Sequence, residues 1–237
     1  GGDPLEPGSY RPVCLLNTSY KVLSAIVNDR LYKLCERHGL LDPSQEGFRR
    51  LRSTQRQVQS LHWVIDEAAR KRTALYVAYL DFENAFNSID HEALFRWLEE
   101  LQIPDLDLIR ALYHRAHYEA DLPYGRSAPV YLLRGTKQGD LLSPLLFNLI
   151  FNALLTGLRQ SGVGVRTVTG LRANSRGYAD DLAMCASTSS GMHKLLQVVS
   201  SFCDWSGMRV KLQKSVISAY DYKTHEEDQP TEGIRYN

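Results

Sequence analysis

The feature that most constrains this chain is a short apolar run, Ala74 to Leu80, that stops abruptly at Asp81. Ala-Leu-Tyr-Val-Ala-Tyr-Leu is too short for a helix and lacks the alternation of a half-exposed strand. It predicts a strand buried on both faces. About a hundred residues later, Ala179-Asp180-Asp181 lies between two further strand candidates, Leu171 to Tyr178 and Leu182 to Ala186, and reads as a hairpin turn. If strand and hairpin are neighbours in one sheet, three carboxylates meet at one edge.

The rest of the chain supplies helices to cover such a sheet. Tyr20 to His38 carries apolar residues at helical spacing, with Gly39 as its stop, and Thr54 to Lys71 repeats the pattern behind a Ser53 cap. Ser88 to Leu101 and Leu106 to His117 read as helices, and Tyr118 to Pro123 and Ala128 to Leu133 as strands. Ser143-Pro144 is a helix start, a hydroxyl cap followed by proline, and that helix should run to about Gly157. Ser190 to Ser206 is helical and ends at Gly207; Val210 to Leu212 and Val216 to Ala219 are short strands. Strands and helices interleave and several links are hairpins, so the expected class is α+β rather than doubly wound.

Composition narrows the function classes. The chain has 237 residues, 43% hydrophobic and 23% charged, enough apolar content for a core without disulfide or metal support. Cys14, Cys35, Cys185 and Cys203 have no CxxC spacing and read as reduced intracellular thiols without a zinc site. Gly1 to Tyr10 has no apolar signal region, and Leu141 to Leu158 is interrupted by Ser143, Asn148, Asn152 and Thr156, so it reads as a buried helix and not a membrane span. The net charge is only +1, but Arg49, Arg50, Arg52 and Arg56 cluster, Arg70, Lys71 and Arg72 follow, and Lys211 and Lys214 come later. A near-neutral total can hide a basic groove.

Three carboxylates at one sheet edge repel one another unless a cation neutralises them or some take up protons. Magnesium suits such a site, because it takes hard oxygen ligands and completes its shell with substrate phosphates. A pair of ions about 3.5–4 Å apart can stabilise both the attacking and the leaving oxygen of a phosphoryl displacement. Asp81, Asp180 and Asp181 are the candidate ligands, and the Phe82 carbonyl, at the strand end, is a further one. Taken alone, Asp-Asp is an ordinary turn filler; four ordered segments decide against that reading.

Tyr79-Leu80-Asp81-Phe82-Glu83-Asn84-Ala85-Phe86 resembles the first palm motif of reverse transcriptases. Gly135-Thr136-Lys137-Gln138-Gly139-Asp140-Leu141-Leu142-Ser143-Pro144 is similar to their Gln-Gly segment, and Tyr178-Ala179-Asp180-Asp181 to their aspartate hairpin. Gly207 to Ser215 places Lys214 where the family has a palm lysine. Upstream, Tyr10 to Asn17 and Gln45-Glu46-Gly47-Phe48-Arg49 look like the fingers of the same group. The chain is thus similar to reverse transcriptases, in particular those of non-LTR retrotransposons, over nearly its whole length.

The resemblance implies a right-hand polymerase with fingers and palm but no thumb, an antiparallel palm sheet packed on helices. Residues 1–9 would be a leader, 10–73 the first part of the fingers, 74–220 the palm with a fingers insertion around 102–135, and 221–237 a truncated tail. The chain would be a fragment of a retrotransposon polyprotein. It implies an RNA-directed DNA polymerase that uses two Mg²⁺ ions, with Mn²⁺ as a substitute, an RNA template, a DNA primer and deoxynucleoside triphosphates, acting in the nucleus. Asp81 and Asp180 would hold the metals and Asp181 support them. Phe86 would be a steric gate against a 2′-hydroxyl, a clash that rejects ribonucleotides. Gln138 and Gly139 would lie beside the nascent base pair, Gly139 permitting close backbone approach. Tyr178 and Ala179 would touch the primer end. Lys214 would be a general acid for pyrophosphate or a plain phosphate contact, and Arg49 and Arg52 would meet the triphosphate in two-pronged fashion.

Lys137, Asn87 and Gln213 depart from the usual family residues without removing a metal ligand. Two rivals stay open. An RNA-dependent RNA polymerase shares the palm, but Phe86 argues against it. A decayed palm could serve as an RNA-binding scaffold, but all three carboxylates are present.

Overall fold

The computed structural model describes residues 14–122, 124–167, 170 and 172–222. The leader, Tyr10 to Pro12 and the tail beyond Tyr222 lie outside the described residues. In chain order the elements are α1 (Thr18–Arg37), α2 (Thr54–Arg70), β1 (Leu75–Leu80), a one-turn α3 (Ala85–Ser88), α4 (His91–Glu100) and α5 (Leu106–Tyr113). Then follow β2 (His117–Tyr118), β3 (Asp121–Leu122), β4 (Gly125–Arg126), β5 (Val130–Tyr131), α6 (Ser143–Gln160), β6 (Val165–Arg166) and β7 (Arg172–Ala173). The last are β8 (Ser175–Tyr178), β9 (Asp181–Ala186), α7 (Ser189–Ser206), a 3₁₀ turn (Leu212–Lys214) and β10 (Val216–Tyr220). No helix among the described residues is long and apolar enough to cross a membrane.

The main sheet has the order β10-β1-β9-β8 and every pair is antiparallel. β1 is central, which accounts for its unbroken apolar run. Its Ala78 and Leu80, with Leu182, Met184 and Ala186 of β9, join α6 and α7 in the larger core. Leu75 and Val77, on the opposite face, pack with Cys185 against Val64 and Ala68 of α2 and against Val165 and Ala173. Cover on this second face fails toward the end of the strand, where Tyr79 is 38% exposed. Asp81 lies just beyond.

α6 is the structural axis, and apolar side chains bury it on nearly all sides. Phe147, Phe151, Leu146, Leu149, Ile150 and Leu154 are all at most 1% exposed, each stabilising the fold by about 1.5–3 kcal/mol. The two asparagines that interrupt its apolar pattern have a purpose. Asn148 Nδ2 donates to the Gly47 carbonyl at 2.8 Å, and Asn152 Oδ1 accepts from the Asp42 N–H. Together they lay the 42–47 loop along the helix.

Three expectations need correction. Ser143 is the first helical residue and not the cap; the buried Asp140 carboxylate instead accepts from Leu142 N–H at 3.3 Å and faces the Ser143 hydroxyl at 3.5 Å. The strands expected over 118–123 and 128–133 are broken into two short ladders of one hairpin, β2 with β5 and β3 with β4. Val210 to Leu212 forms no strand. Val210 makes a single bridge to Phe82 and the chain then turns, because Glu83 N–H donates to Arg209 O at 2.8 Å and Lys211 N–H to Asp81 O at 2.7 Å.

Candidate active site

The β1–β9 register sets Leu80 opposite Leu182. One step further, Asp81 faces Asp181, and both point to the less covered face, that of Tyr79 and Ala183. Directly opposed residues in an antiparallel pair have Cβ atoms about 4.5–5.5 Å apart. Asp180 stands beside them on the two-residue turn that joins β8 to β9, where Tyr178 pairs with Asp181. Burial first, then the charges of Asp180 and Asp81, push the Asp181 carboxyl above its usual range. The three acids predicted from sequence are therefore one electrostatic group.

The turn that carries Asp180 is held from outside. Ala179 adopts a left-handed φ of 56°, which a two-residue hairpin favours but an alanine resists by about 1–2 kcal/mol. Gln45, 1% exposed, clamps it: its Oε1 accepts from Ala179 N–H at 2.9 Å and its Nε2 donates to Ala179 O at 3.0 Å. The same Oε1 accepts from Gly47 N–H at 2.8 Å. Gly47 packs so tightly on the turn that an added Cβ would come 2.2 Å from Ala179 N. Next to it, Gly177 N–H donates to Ser44 O and Glu46 N–H to Gly177 O, both at 2.9 Å. Sequence reading missed Gln45 and Gly47 as functional residues. Their signal was the Gln45-Glu46-Gly47-Phe48-Arg49 segment, singled out for its resemblance to the fingers but without a role for these two residues.

The other side of the site is fixed by the 3₁₀ turn. Asp81 N–H donates to Ser215 Oγ at 3.3 Å, and its carbonyl is taken by Lys211. Successive strand carbonyls point to opposite edges, so that of Phe82 faces the β9 side. The turn brings Lys214 Nζ to 3.9 Å from Asp81 Oδ2. A cavity of about 270 Å³ gathers Tyr79, Asp81, Tyr178, Asp181 and Lys214, with Arg176 at its margin.

Phe86 follows on α3. Its ring stacks on Phe147 at 4.2 Å and meets Phe48 edge-on at 5.6 Å, so two rings brace it. Its carbonyl accepts from Thr136 N–H at 2.7 Å, which joins it to the Gln138 segment. Gln138 Nε2 donates to Asn87 Oδ1 at 3.4 Å, and its N–H donates to the Tyr118 hydroxyl at 3.1 Å. Gly139 has φ 75°, and an added Cβ would meet the Cys14 carbonyl at 2.9 Å; the close approach it permits is to its own chain. Asp140, given no role from sequence, accepts from the Tyr20 hydroxyl at 3.0 Å and from that of Ser24, tying α1 to the start of α6.

Two expectations change here. Arg49 is not open to a triphosphate. Its side chain is 5% exposed, Nε and Nη2 bind Glu36 at 3.0 and 2.9 Å, and Nη1 donates to the carbonyls of Asp42 and Gln45. It buttresses the Gln45 loop. Arg52 pairs with Glu46 at 2.7 Å and lines a different cavity from the aspartates. Ala179, expected at the primer, is only 8% exposed because Gln45 and Gly47 cover it.

The donor set suits a hard cation. Among the described residues, no group of three or more His, Cys, Asp or Glu side chains is close enough to enclose an ion as it stands. Magnesium does not need such a cage, since it is commonly held by one or two carboxylates with waters and substrate phosphates completing the shell.

Residues 2–236 match the family model for reverse transcriptase (RNA-dependent DNA polymerase). The chain is 27% identical, over 89% of its length, to the retrovirus-related Pol polyprotein from type-1 retrotransposable element R2 of Nasonia vitripennis, covering 20% of that protein. It is 28% identical over 88% of its length to the Pol polyprotein from type-2 retrotransposable element R2DM of Drosophila melanogaster, covering 19% of it. The RNA-directed DNA polymerase from mobile element jockey of Drosophila funebris is 27% identical over 87% of the chain, with 22% of that protein covered. The chain therefore spans about a fifth of the length of these relatives. Telomerase from Candida tropicalis, solved with a TWJ fragment of telomeric RNA, shares the fold: TM-score 0.61 over 85% of this chain and 34% of that one, at 14% identity.

Proposed function

This chain belongs to the reverse transcriptase (RNA-dependent DNA polymerase) family, and on that premise we propose that it adds deoxynucleotides to a primer 3′-hydroxyl under the direction of an RNA template. The observation that carries the reading is the convergence of Asp81, Asp180 and Asp181 at one end of the sheet, where burial first and then the charges of the other two raise the Asp181 carboxyl. Asp81 and Asp180 would hold Mg²⁺, or Mn²⁺ in its place, with Asp181 in support and the Phe82 carbonyl as a further donor. When bound, the ions activate the primer hydroxyl and offset charge on the departing pyrophosphate.

The chain's own residues bind and orient. Gln45 holds the turn under Asp180. Phe86, braced by Phe147 and Phe48, forms a wall that a 2′-hydroxyl would strike. Gln138, beside Asn87, is within reach of the same nucleotide, and Gly139 shapes that segment. Lys214, 3.9 Å from Asp81, would be a general acid for pyrophosphate or a plain phosphate contact. Tyr178 borders the primer end, with Ala179 beneath it. Residues 10–73 and the insertion around 102–135 act as fingers, and 74–220 as palm.

The test is extension of a DNA primer on an RNA template, with wild type, Asp81→Asn and Asp180→Ala compared. The reading expects incorporation in wild type alone. It also expects Mg²⁺ to raise the melting temperature of wild type but not of Asp180→Ala, since a ligand stabilises the state that binds it. Incorporation and a thermal shift that survive Asp180→Ala would refute the assignment.

A further inference from the structure

The larger of the two cavities lies beside the aspartate site, along β8, and shares Arg176 with it. It has a volume of about 380 Å³ and opens between the first half of α2, the Asp42–Glu46 loop, β7–β8 and the end of α6. Five guanidinium groups line it, those of Arg52, Arg56, Arg159, Arg172 and Arg176, against two carboxylates, Asp42 and Glu46. The surplus is three positive charges.

The carboxylates are already engaged. Asp42 pairs with Arg159 at 2.7 Å, and Glu46 with Arg52 at 2.7 Å and Arg56 at 3.5 Å. Neither Arg172 nor Arg176 makes an ion pair with a carboxylate among the described residues. Arg172 is exposed. Arg176 is half-buried; its Nε donates to Ser60 Oγ at 2.5 Å and its Nη1 to the Ser175 carbonyl at 2.6 Å. Burial presses on its charge. A desolvated cation without a counter-ion is unfavourable, so an anion against this wall would relieve that cost. Guanidinium forks match phosphate oxygens two at a time.

Position says which phosphate. Arg176 precedes Tyr178 by two residues on the same face of β8, a displacement of roughly 7 Å. It borders both this cavity and that of the aspartates. We propose that the arginine cavity binds a backbone phosphate of a nucleic-acid strand and holds that strand against β8 beside the aspartate turn. The identity of the strand's role rests on the polymerase reading; the binding of the anion does not.

The experiment measures binding of a fluorescein-labelled single-stranded RNA oligonucleotide by anisotropy across a salt series. The proteins are wild type, Arg172→Gln, Arg56→Gln and their double variant, with Arg37→Gln, on the exposed end of α1, as control. Both cavity residues are exposed, so melting curves should stay at the wild-type position. Removing one arginine–phosphate pairing should lower the slope of log K against log salt by about 0.7, with a several-fold loss of affinity at low salt. Arg172→Lys, which keeps charge but not the fork, should recover part of the loss, an effect that a purely structural arginine would not give. Wild-type affinity and slope in the double variant overturn the proposal. So does loss of inorganic tripolyphosphate binding, followed by calorimetry, with RNA affinity unchanged, for the cavity would then take free polyphosphate and not a strand. If the double variant binds RNA normally while Asp180→Ala abolishes extension, the cavity proposal fails and the polymerase reading stands.

Discussion

Replacing Gln45 by alanine removes the clamp on the aspartate turn and leaves the aspartates untouched. The Gln45 carboxamide satisfies Ala179 N–H, Ala179 O and Gly47 N–H, all in a water-poor position, Ala179 being 8% exposed. Leaving a buried polar group unmet costs about 1–3 kcal/mol. Even at the low end, three such groups amount to roughly 3 kcal/mol, before the left-handed alanine adds its own about 1–2 kcal/mol. The turn should relax to recover this energy and carry Asp180 with it. About 3 kcal/mol of lost positioning corresponds to a rate reduction on the order of 100-fold. The assay is single-turnover primer extension with saturating deoxynucleotide, alongside urea denaturation. The expected result is a large fall in kcat with RNA affinity unchanged. Gly47→Ala should act in the same direction, since its Cβ would meet Ala179 N at 2.2 Å. Gln59→Ala, exposed on α2, should be silent. A Gln45→Ala enzyme that extends primers at the wild-type rate would refute the reasoning.

Two further predictions concern the same region. Phe86→Ala should admit ribonucleotides and narrow the preference for deoxynucleotides by at least tenfold, measured as a ratio of kcat/KM values; an unchanged ratio removes Phe86 as the gate. Asp181→Asn should raise the melting temperature of the metal-free protein at pH 7. An acid whose folded pKa lies above its unfolded one loses stability as pH climbs from the unfolded value through the folded one. Asp181 is such an acid, so the gain should fade below pH 3.8, its ordinary value, in thermal melts taken across pH.

The long helices were legible in the sequence because their spacing and their stops are local. The Ser53 hydroxyl accepts from Arg56 N–H as its position suggested, and Gly207 ends α7 at φ 75°. The meeting of Asp81 with the hairpin followed from strand and turn only if the two shared a sheet, and the resemblance of the four ordered segments decided that they do. What was hidden depends on partners far away in sequence. Arg49 looked like one member of a solvated basic cluster, and only the fold reveals Glu36 and two carbonyls around it. Gln45 acts on a residue 134 positions away. The short pieces between His117 and Tyr131 resisted reading because two-residue strands carry no periodicity.

The pairing of β1 with β9 also has a consequence in time. During synthesis Leu75–Leu80 emerges about a hundred residues ahead of Asp181–Ala186, a delay of roughly 5–20 s at ordinary elongation rates. Through that interval a greasy central ribbon has both hydrogen-bonding edges bare, and such edges recruit other chains. Contacts this distant in sequence also close slowly. Yield in a heterologous host should therefore hinge on chaperone supply and growth temperature more than on the strength of the finished core.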